Sequence, residues 1–253
     1  MPEGKAHTNS VGMKFVRIEA GTFNMGIDKT PLPSEITDNT PLRKSWKPNE
    51  RPYLQNGDFD EYPSNKVTIS QPFYMGTLEV TNIQYELFDP EHRKLRGKLG
   101  FSKEDDEAVV FVNWHDAAEF CAWLSKKDGL AYRLPTEAEW EVAASSDDQI
   151  LVNGLPDSKS LYPWGSEPIS IERSNLDSLR LGTIDVRRCP SGDSIFGCRQ
   201  MIGNVWEWVD TPHSPLPKNL RPKKKGTYRI VKGGSWTSPL GFATIAVSYT
   251  HLR

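Results

Sequence analysis

Long apolar runs are missing from this chain: no stretch approaches the roughly 18 consecutive apolar residues of a membrane-spanning helix, so no transmembrane segment is predicted. Nor does the sequence open on a basic stretch followed by the short apolar core of an export signal. Taken as written, the chain reads as soluble and not exported, which leaves its compartment unknown. Cysteine is scarce. The three present, Cys121, Cys189 and Cys198, are an odd count with no CxxC, so a disulfide framework is unsupported. One bridge between Cys189 and Cys198 stays open. An excess of either charge is missing too: 31 basic against 33 acidic residues give a net charge of −2. That excludes a broad electrostatic footprint for nucleic acid or an anionic membrane. The basic cluster RPKKK at 221–225 is short and holds a proline, and it reads as a solvated loop.

What is present is punctuation and aromatic bulk. Nineteen glycines and nineteen prolines predict many turns and short elements, which argues against a helical bundle. Eight Trp, eight Tyr and ten Phe are enough for a core in a chain that is only 37% hydrophobic. With 253 residues and no linker-like break, one domain over 11–253 is favoured, preceded by a patternless, disordered leader at 1–10.

KFVRIE and TFNMG read as two short strands joined at Ala20 and Gly21. The polar stretch 27–62 reads as a long surface loop. KVTISQPFYM (66–75) reads as one strand. A helix follows in EVTNIQYELF, with Thr81 as N-cap and Gln84 as its reciprocal capping-box partner. The segment 109–129 passes from strand to helix, with Ala117, Cys121 and Leu124 at helical spacing and Phe120 beside them; Gly129 is a natural stop, and Cys121 reads as a buried core thiol. RLPTEAEWEVAA carries a second capping box, Thr136 with Glu139, and points Trp140 and Ala144 inward. Its three glutamates suit the positive end of a helix better than acid chemistry. YPWG (162–165) is a turn with aromatic anchors, 182–186 has strand character, and TYRIVKGGSW holds a strand ending in a Gly233-Gly234 bend. The last 17 residues show no obvious closing strand.

The most pointed stretch is GNVWEWVD at 203–210. If extended, it puts Gly203, Val205 and Glu207 on one side and Asn204, Trp206 and Trp208 on the other. A carboxylate in so apolar a run needs compensation from a cation, an arginine or hydrogen bonds, and buried indoles need N–H partners.

The ordered series GTFNMG, PFYM…EVTNIQYELF, VNWHDAAEFCAWLS, YRLPTEAEWEVAA, YPWG, GNVWEWV and RIVKGGSW resembles the formylglycine-generating enzyme (sulfatase-modifying factor) family over roughly residues 11–236. The resemblance implies an irregular α+β, C-type-lectin-like fold with low regular secondary structure and bound calcium. It implies calcium ligands at the carbonyls of Gly203 and Val205, the carboxylate of Glu207 and the side chain of Gln200, where the family carries Asn. Hard oxygens suit Ca²⁺. A second site would begin at Asn175 and Leu176, but its remaining ligands look deleted in DSLRLG. Substrate contacts are implied at Ser235, Trp236 and Ser238.

Active members bind Cu(I) and the substrate thiol through two cysteines after the KGGS(Y/W) motif. Aligned without gaps from Ser235, those positions are Ser238 and Ala243, and no cysteine follows Cys198. Cu(I) needs soft thiolates, so copper is not expected. Members also close on a strand not seen here, so the C-terminus reads as incomplete. Three functions follow: a calcium-stabilised, non-oxidising domain that binds a protein, peptide or glycan; an oxidase acting on sulfatases, its active segment lost; and a domain of an iron-dependent sulfoxide synthase. Against the third, His7, His92, His115, His213 and His251 are scattered, with no HxxxH spacing.

Overall fold

Pro72 splits what the sequence reads as one strand into two. It supplies no N–H and disfavours helical backbone at Gln71, so β4 (Asn65–Ile69) and β5 (Phe73–Gly76) enter different sheets. β2 (Lys14–Ile18) and β3 (Gly21–Met25) fall where expected, and they too separate. β2 lies between β1 (Ala6–Thr8) and β5, while β3 pairs with β4, all antiparallel. The computed structural model describes residues 4–26, 64–146, 161–178, 180–212, 228–238, 244–245 and 248–252. The expected loop at 27–62, the basic run at 221–225, and Ala243 and His213 lie outside those residues.

The leader expected to be disordered contributes β1. Its sequence lacks alternation, but its register is backbone pairing, Ala6 opposite Val16 and Thr8 opposite Lys14, and His7 packs on Phe15. The third sheet joins β6 (Glu207–Pro212), β7 (Tyr228–Lys232) and β8 (Ser248–Leu252). β8 corrects the expectation of no closing strand. Ser248 to Leu252 is too short and polar to stand out, and β7 recruits it through a five-residue antiparallel register. The strand expected at 182–186 reduces to one bridge between Glu107 and Asp185.

Helices form where caps permit. α1 (Asn82–Glu86) starts on Thr81, whose hydroxyl accepts from the Gln84 N–H while the Gln84 side chain accepts from the Thr81 N–H. α2 (Trp114–Asp128) has an unanticipated box of the same kind, Asn113 with Asp116, and ends on left-handed Gly129. α3 (Glu137–Ala143) starts on the predicted Thr136 and Glu139 box. Glu139 also accepts a two-pronged bond from Arg133, both at 2.6 Å, so it is a structural carboxylate.

One core joins all three sheets to α3: Ile18, Phe23, Ile69, Met75, Trp140, Val142, Cys198, Met201, Val209 and Ile230 pack together. Trp140 and Ala144 are fully buried, as their spacing predicts. Lys232, also fully buried, lies 3.6–3.7 Å from Glu137 and Glu141, with its ammonium 5.5 Å from the centre of the Trp140 ring. A second cluster sets α1 on α2 through Tyr85, Phe88, Phe120, Trp123 and Leu124. Ala117 and Cys121, expected in that core, are only partly covered. No described helix is long and apolar enough to cross a membrane.

Candidate functional site

The stretch 203–208 is not an extended strand. Gly203 and Asn204 both have left-handed backbone, φ 94° and 55°, and β6 begins only at Glu207. The alternation expected across it therefore fails. The cause is a close approach: a Cβ on Gly203 would sit 2.5 Å from the Asn175 carbonyl oxygen, so only glycine fits. Asn tolerates the left-handed region better than most residues, and here its amide is held from every side.

Asn204 is fully buried. Its backbone N–H donates to the Asn175 carbonyl at 2.9 Å, and its own carbonyl accepts from the Trp236 N–H at 2.9 Å. Its side-chain oxygen accepts from the Ile184 N–H at 2.9 Å and from the Asn175 amide at 3.1 Å. Its side-chain nitrogen donates to Glu79 at 2.7 Å, and the other Glu79 oxygen accepts from the Val205 N–H at 3.3 Å. Gly203 N–H donates to the Gly233 carbonyl at 2.8 Å. Three segments converge here: 175–178, 203–207 and 233–238.

Two acidic groups share this region. Burial pushes the Glu207 carboxyl up to about 7, against an ordinary 4.5, and the Trp140 indole, donating to it at 2.9 Å, only partly offsets the rise. Burial first, and then the charge of Glu207, raise Glu79 well above the ordinary range. Tryptophan N–H groups are satisfied as burial demands: Trp208 donates to the Val112 carbonyl and Trp114 to that of Val209.

Gln200 Oε1 is buried and accepts no hydrogen bond among the described residues, although Gln200 Nε2 donates to the Arg188 carbonyl. Among those residues the carbonyls of Gly203 and Val205 accept none either. Gln200, Gly203, Val205 and Glu207 each carry an oxygen, the donor type a hard cation takes. A buried acceptor left unmade costs about 1–3 kcal/mol, so an orphaned amide oxygen fits such an ion. Asn175 Oδ1 is likewise buried and unpartnered, and Leu176 is fully buried. Among the described residues no group of three His, Cys, Asp or Glu side chains forms a metal cluster.

Ser235, Trp236 and Ser238 come together in one turn. Ser238, nearly buried, accepts from the Ser235 N–H at 2.9 Å, and its carbonyl accepts from the Asp177 N–H at 3.1 Å. Trp236 packs on Phe101, which stacks on Phe111. The three cysteines are free thiols. Burial pushes Cys198 up to about 12 and Cys121 up to about 11, and it raises Cys189.

Sequence reasoning missed Glu79. It had been read only as part of the lead-in to a capping box, and the one hint of more was a carboxylate flanked by apolar Leu78 and Val80.

Mixed and irregular, with three small antiparallel sheets and a site assembled by buried amides, this architecture defines a class that known proteins share. The chain belongs to the family of the sulfatase-modifying factor enzyme 1-like domain, which matches residues 3–250. Hercynine oxygenase from Mycolicibacterium smegmatis is 34% identical over 87% of this chain and 54% of its own length. Formylglycine-generating enzyme from Mus musculus is 30% identical over 88% of this chain and 66% of its own. Hercynine oxygenase from Mycobacterium tuberculosis is 35% identical over 52% of the chain and 30% of its own length. The chain thus spans about a third to two thirds of these relatives. Among solved structures, PvdO from Pseudomonas aeruginosa superposes with a TM-score of 0.65 at 20% identity, covering 100% of this chain and 94% of that one. CarF gives 0.60 at 19% identity, covering 96% and 93%. These likenesses support the fold.

Proposed function

We propose that this chain is a calcium-stabilised, non-oxidising member of its family, which binds a protein, peptide or glycan at the turn carrying Ser235, Trp236 and Ser238. The observation that carries this reading is Ser238. Aligned without gaps from Ser235, the resemblance puts it where a copper-binding family member has a cysteine, and its hydroxyl accepts from the Ser235 N–H. A hydroxyl supplies no thiolate, and Cys189 and Cys198 are buried thiols whose pKa values burial raises. Calcium would be held by Gln200, Gly203, Val205 and Glu207, and it would supply charge compensation and rigidity rather than chemistry on a substrate. Asn175 and Leu176 would begin a second, less complete set.

The test has two arms. With Cu(I) and a Cys-x-Pro-x-Arg peptide, dioxygen uptake stays at background. With calcium, the melting temperature rises. Formylglycine on the peptide would overturn the non-oxidising reading, and an unchanged melting temperature would overturn the calcium reading.

One observation favours a second reading. Relatives named hercynine oxygenase match over only 30% and 54% of their own length. On this reading the chain is the substrate-positioning part of a sulfoxide-synthase-like oxygenase, and iron is held outside it. Saturable heat of binding with hercynine, lost on Trp236→Ala, would favour it over the peptide reading.

A further inference from the structure

Resting on the calcium reading above, we infer that Glu79 and Asn204 are a positioning pair through which a cation on the 200–207 oxygens sets the turn at Ser235, Trp236 and Ser238. Neither residue is among the implied ligands. The geometry gives Asn204 a fixed orientation. Its side-chain oxygen is taken by two donors, Ile184 N–H and Asn175 Nδ2, so its nitrogen must face Glu79, at 2.7 Å. A flipped amide would set nitrogen against those donors. Glu79 uses its second oxygen on the Val205 N–H. This fixes the peptide planes on either side of Asn204, which carry the Gly203 carbonyl and the Val205 N–H. The left-handed backbone at Asn204 sets where the Gly203 carbonyl points, and the Glu79 bond anchors Val205, the residue whose own carbonyl is the next oxygen along the chain.

The same residue reaches the other turn. Asn204 O receives the Trp236 N–H at 2.9 Å, and Gly203 N–H reaches Gly233 O at 2.8 Å. The Gly233-to-Trp236 bend is therefore fastened at two points to the segment that carries the cation oxygens. A third fastening comes from Ser178, whose N–H donates to Trp236 O at 2.7 Å, in the left-handed turn that follows Asn175. Charge supports the pairing. Glu79 is 9% exposed and close enough to Glu207 for the two to repel, so a dication beside them balances both carboxylates. A merely structural Glu79 would stabilise the fold with or without an ion. A positioning Glu79 matters most when the ion is bound.

The chemistry allows a swap. In Glu79→Gln alone, an amide nitrogen or a lone acceptor must face Asn204 Nδ2 or Val205 N–H, and one bond is lost. In Asn204→Asp alone, two carboxylates face each other. In the double variant Glu79→Gln with Asn204→Asp, the glutamine nitrogen donates to the aspartate, the glutamine oxygen still accepts from Val205 N–H, and one charge is kept. The test uses the whole chain, with calcium titrated by calorimetry and the Trp236 environment read as the fluorescence difference from a matched Trp236→Phe set.

Glu79→Gln is expected to bind calcium at least tenfold more weakly, with a loss of melting temperature that is larger in calcium than in chelator. The calcium-induced change at Trp236 should shrink in step. The double variant should recover to within about threefold of the parent affinity. Parent-like calcium affinity in Glu79→Gln, or a double variant no better than Glu79→Gln, overturns the inference while leaving the calcium reading standing. Absence of calcium binding by the parent removes that reading and the inference with it. If Asn204→Asp does not fold, Glu79→Gln and the double variant still decide.

Discussion

The lobe built on α1 and α2 and the lobe that carries residues 161–206 are held together in opposite ways. The first is mainly aromatic: Tyr85 sits 5.4 Å from Phe120, Phe88 packs on Trp123, and Leu124 seals the contact, while its buried polar groups are paired at the margin, Asn82 with Ser102, Glu86 with Arg96 and His92 with the Val110 carbonyl. Among the described residues the second has no α-helix or strand of its own. Its backbone turns on left-handed Asp177, Ser178, Cys189, Gln200 and Asn204, and its interior includes the buried polar side chains of Ser174, Asn175, Gln200 and Asn204. Apolar contact needs no partner beyond area. A polar interior needs every atom matched, and among the described residues of this region the amide oxygens of Asn175 and Gln200 are left over, with Ser174 Oγ and Arg180 Nε. One lobe should therefore ignore an added cation, and the other should respond to it.

Gly203→Ala breaks that contrast most. Its methyl meets the Asn175 carbonyl, and its φ is unsuited to any side chain, so a loss of about 3 kcal/mol or more is expected. Denaturant unfolding should show it, together with a calcium response that has disappeared; a retained response would dissolve the distinction between the lobes. Leu124→Ala, at 2% exposure, should cost about 2–5 kcal/mol and leave calcium affinity unchanged. If affinity fell with it, the two lobes would be one cooperative site.

Acidity sharpens the same contrast. The Glu207 carboxyl titrates near 7 in the folded chain and near 4.5 once unfolded. Between those values the folded state holds a proton that the unfolded state has released. Stability in chelator must therefore fall as pH rises from about 4.5 to about 7. Calcium competes with that proton, so the fall should flatten when calcium saturates. Urea midpoints at pH 5 and 7.5, with and without chelator, measure this, and a chelated midpoint that climbs would contradict it. The smallest effect is expected from Thr136→Ala, about 1 kcal/mol from the lost cap, with no calcium dependence. Equal midpoint shifts with and without calcium would bear that out.

These two lobes also explain what could be read from the residues alone. Thr81 and Thr136 announce their helices because a capping box is local, three residues from end to end. The same holds for Asn113 and Asp116, a box overlooked among the neighbouring aromatics. The family motifs carried the irregular α+β class and drew attention to Gly203 and Glu207. They did not carry the bend at Gly203 and Asn204, because the partners that force it, Asn175 and Glu79, lie 29 and 125 residues from Asn204. β8 stayed hidden for a similar reason: its pairing is dictated by β7 rather than by its own pattern.

Lys232 offers a way to watch the whole molecule open. Its amine has no path to solvent, lying beneath the Trp140 ring with Glu137 and Glu141 alongside. Acylating reagents, ubiquitin ligases and acetyltransferases would meet the exposed lysines first and this one only after the three sheets part from α3. Its labelling rate is then a clock for global unfolding, written into a single side chain.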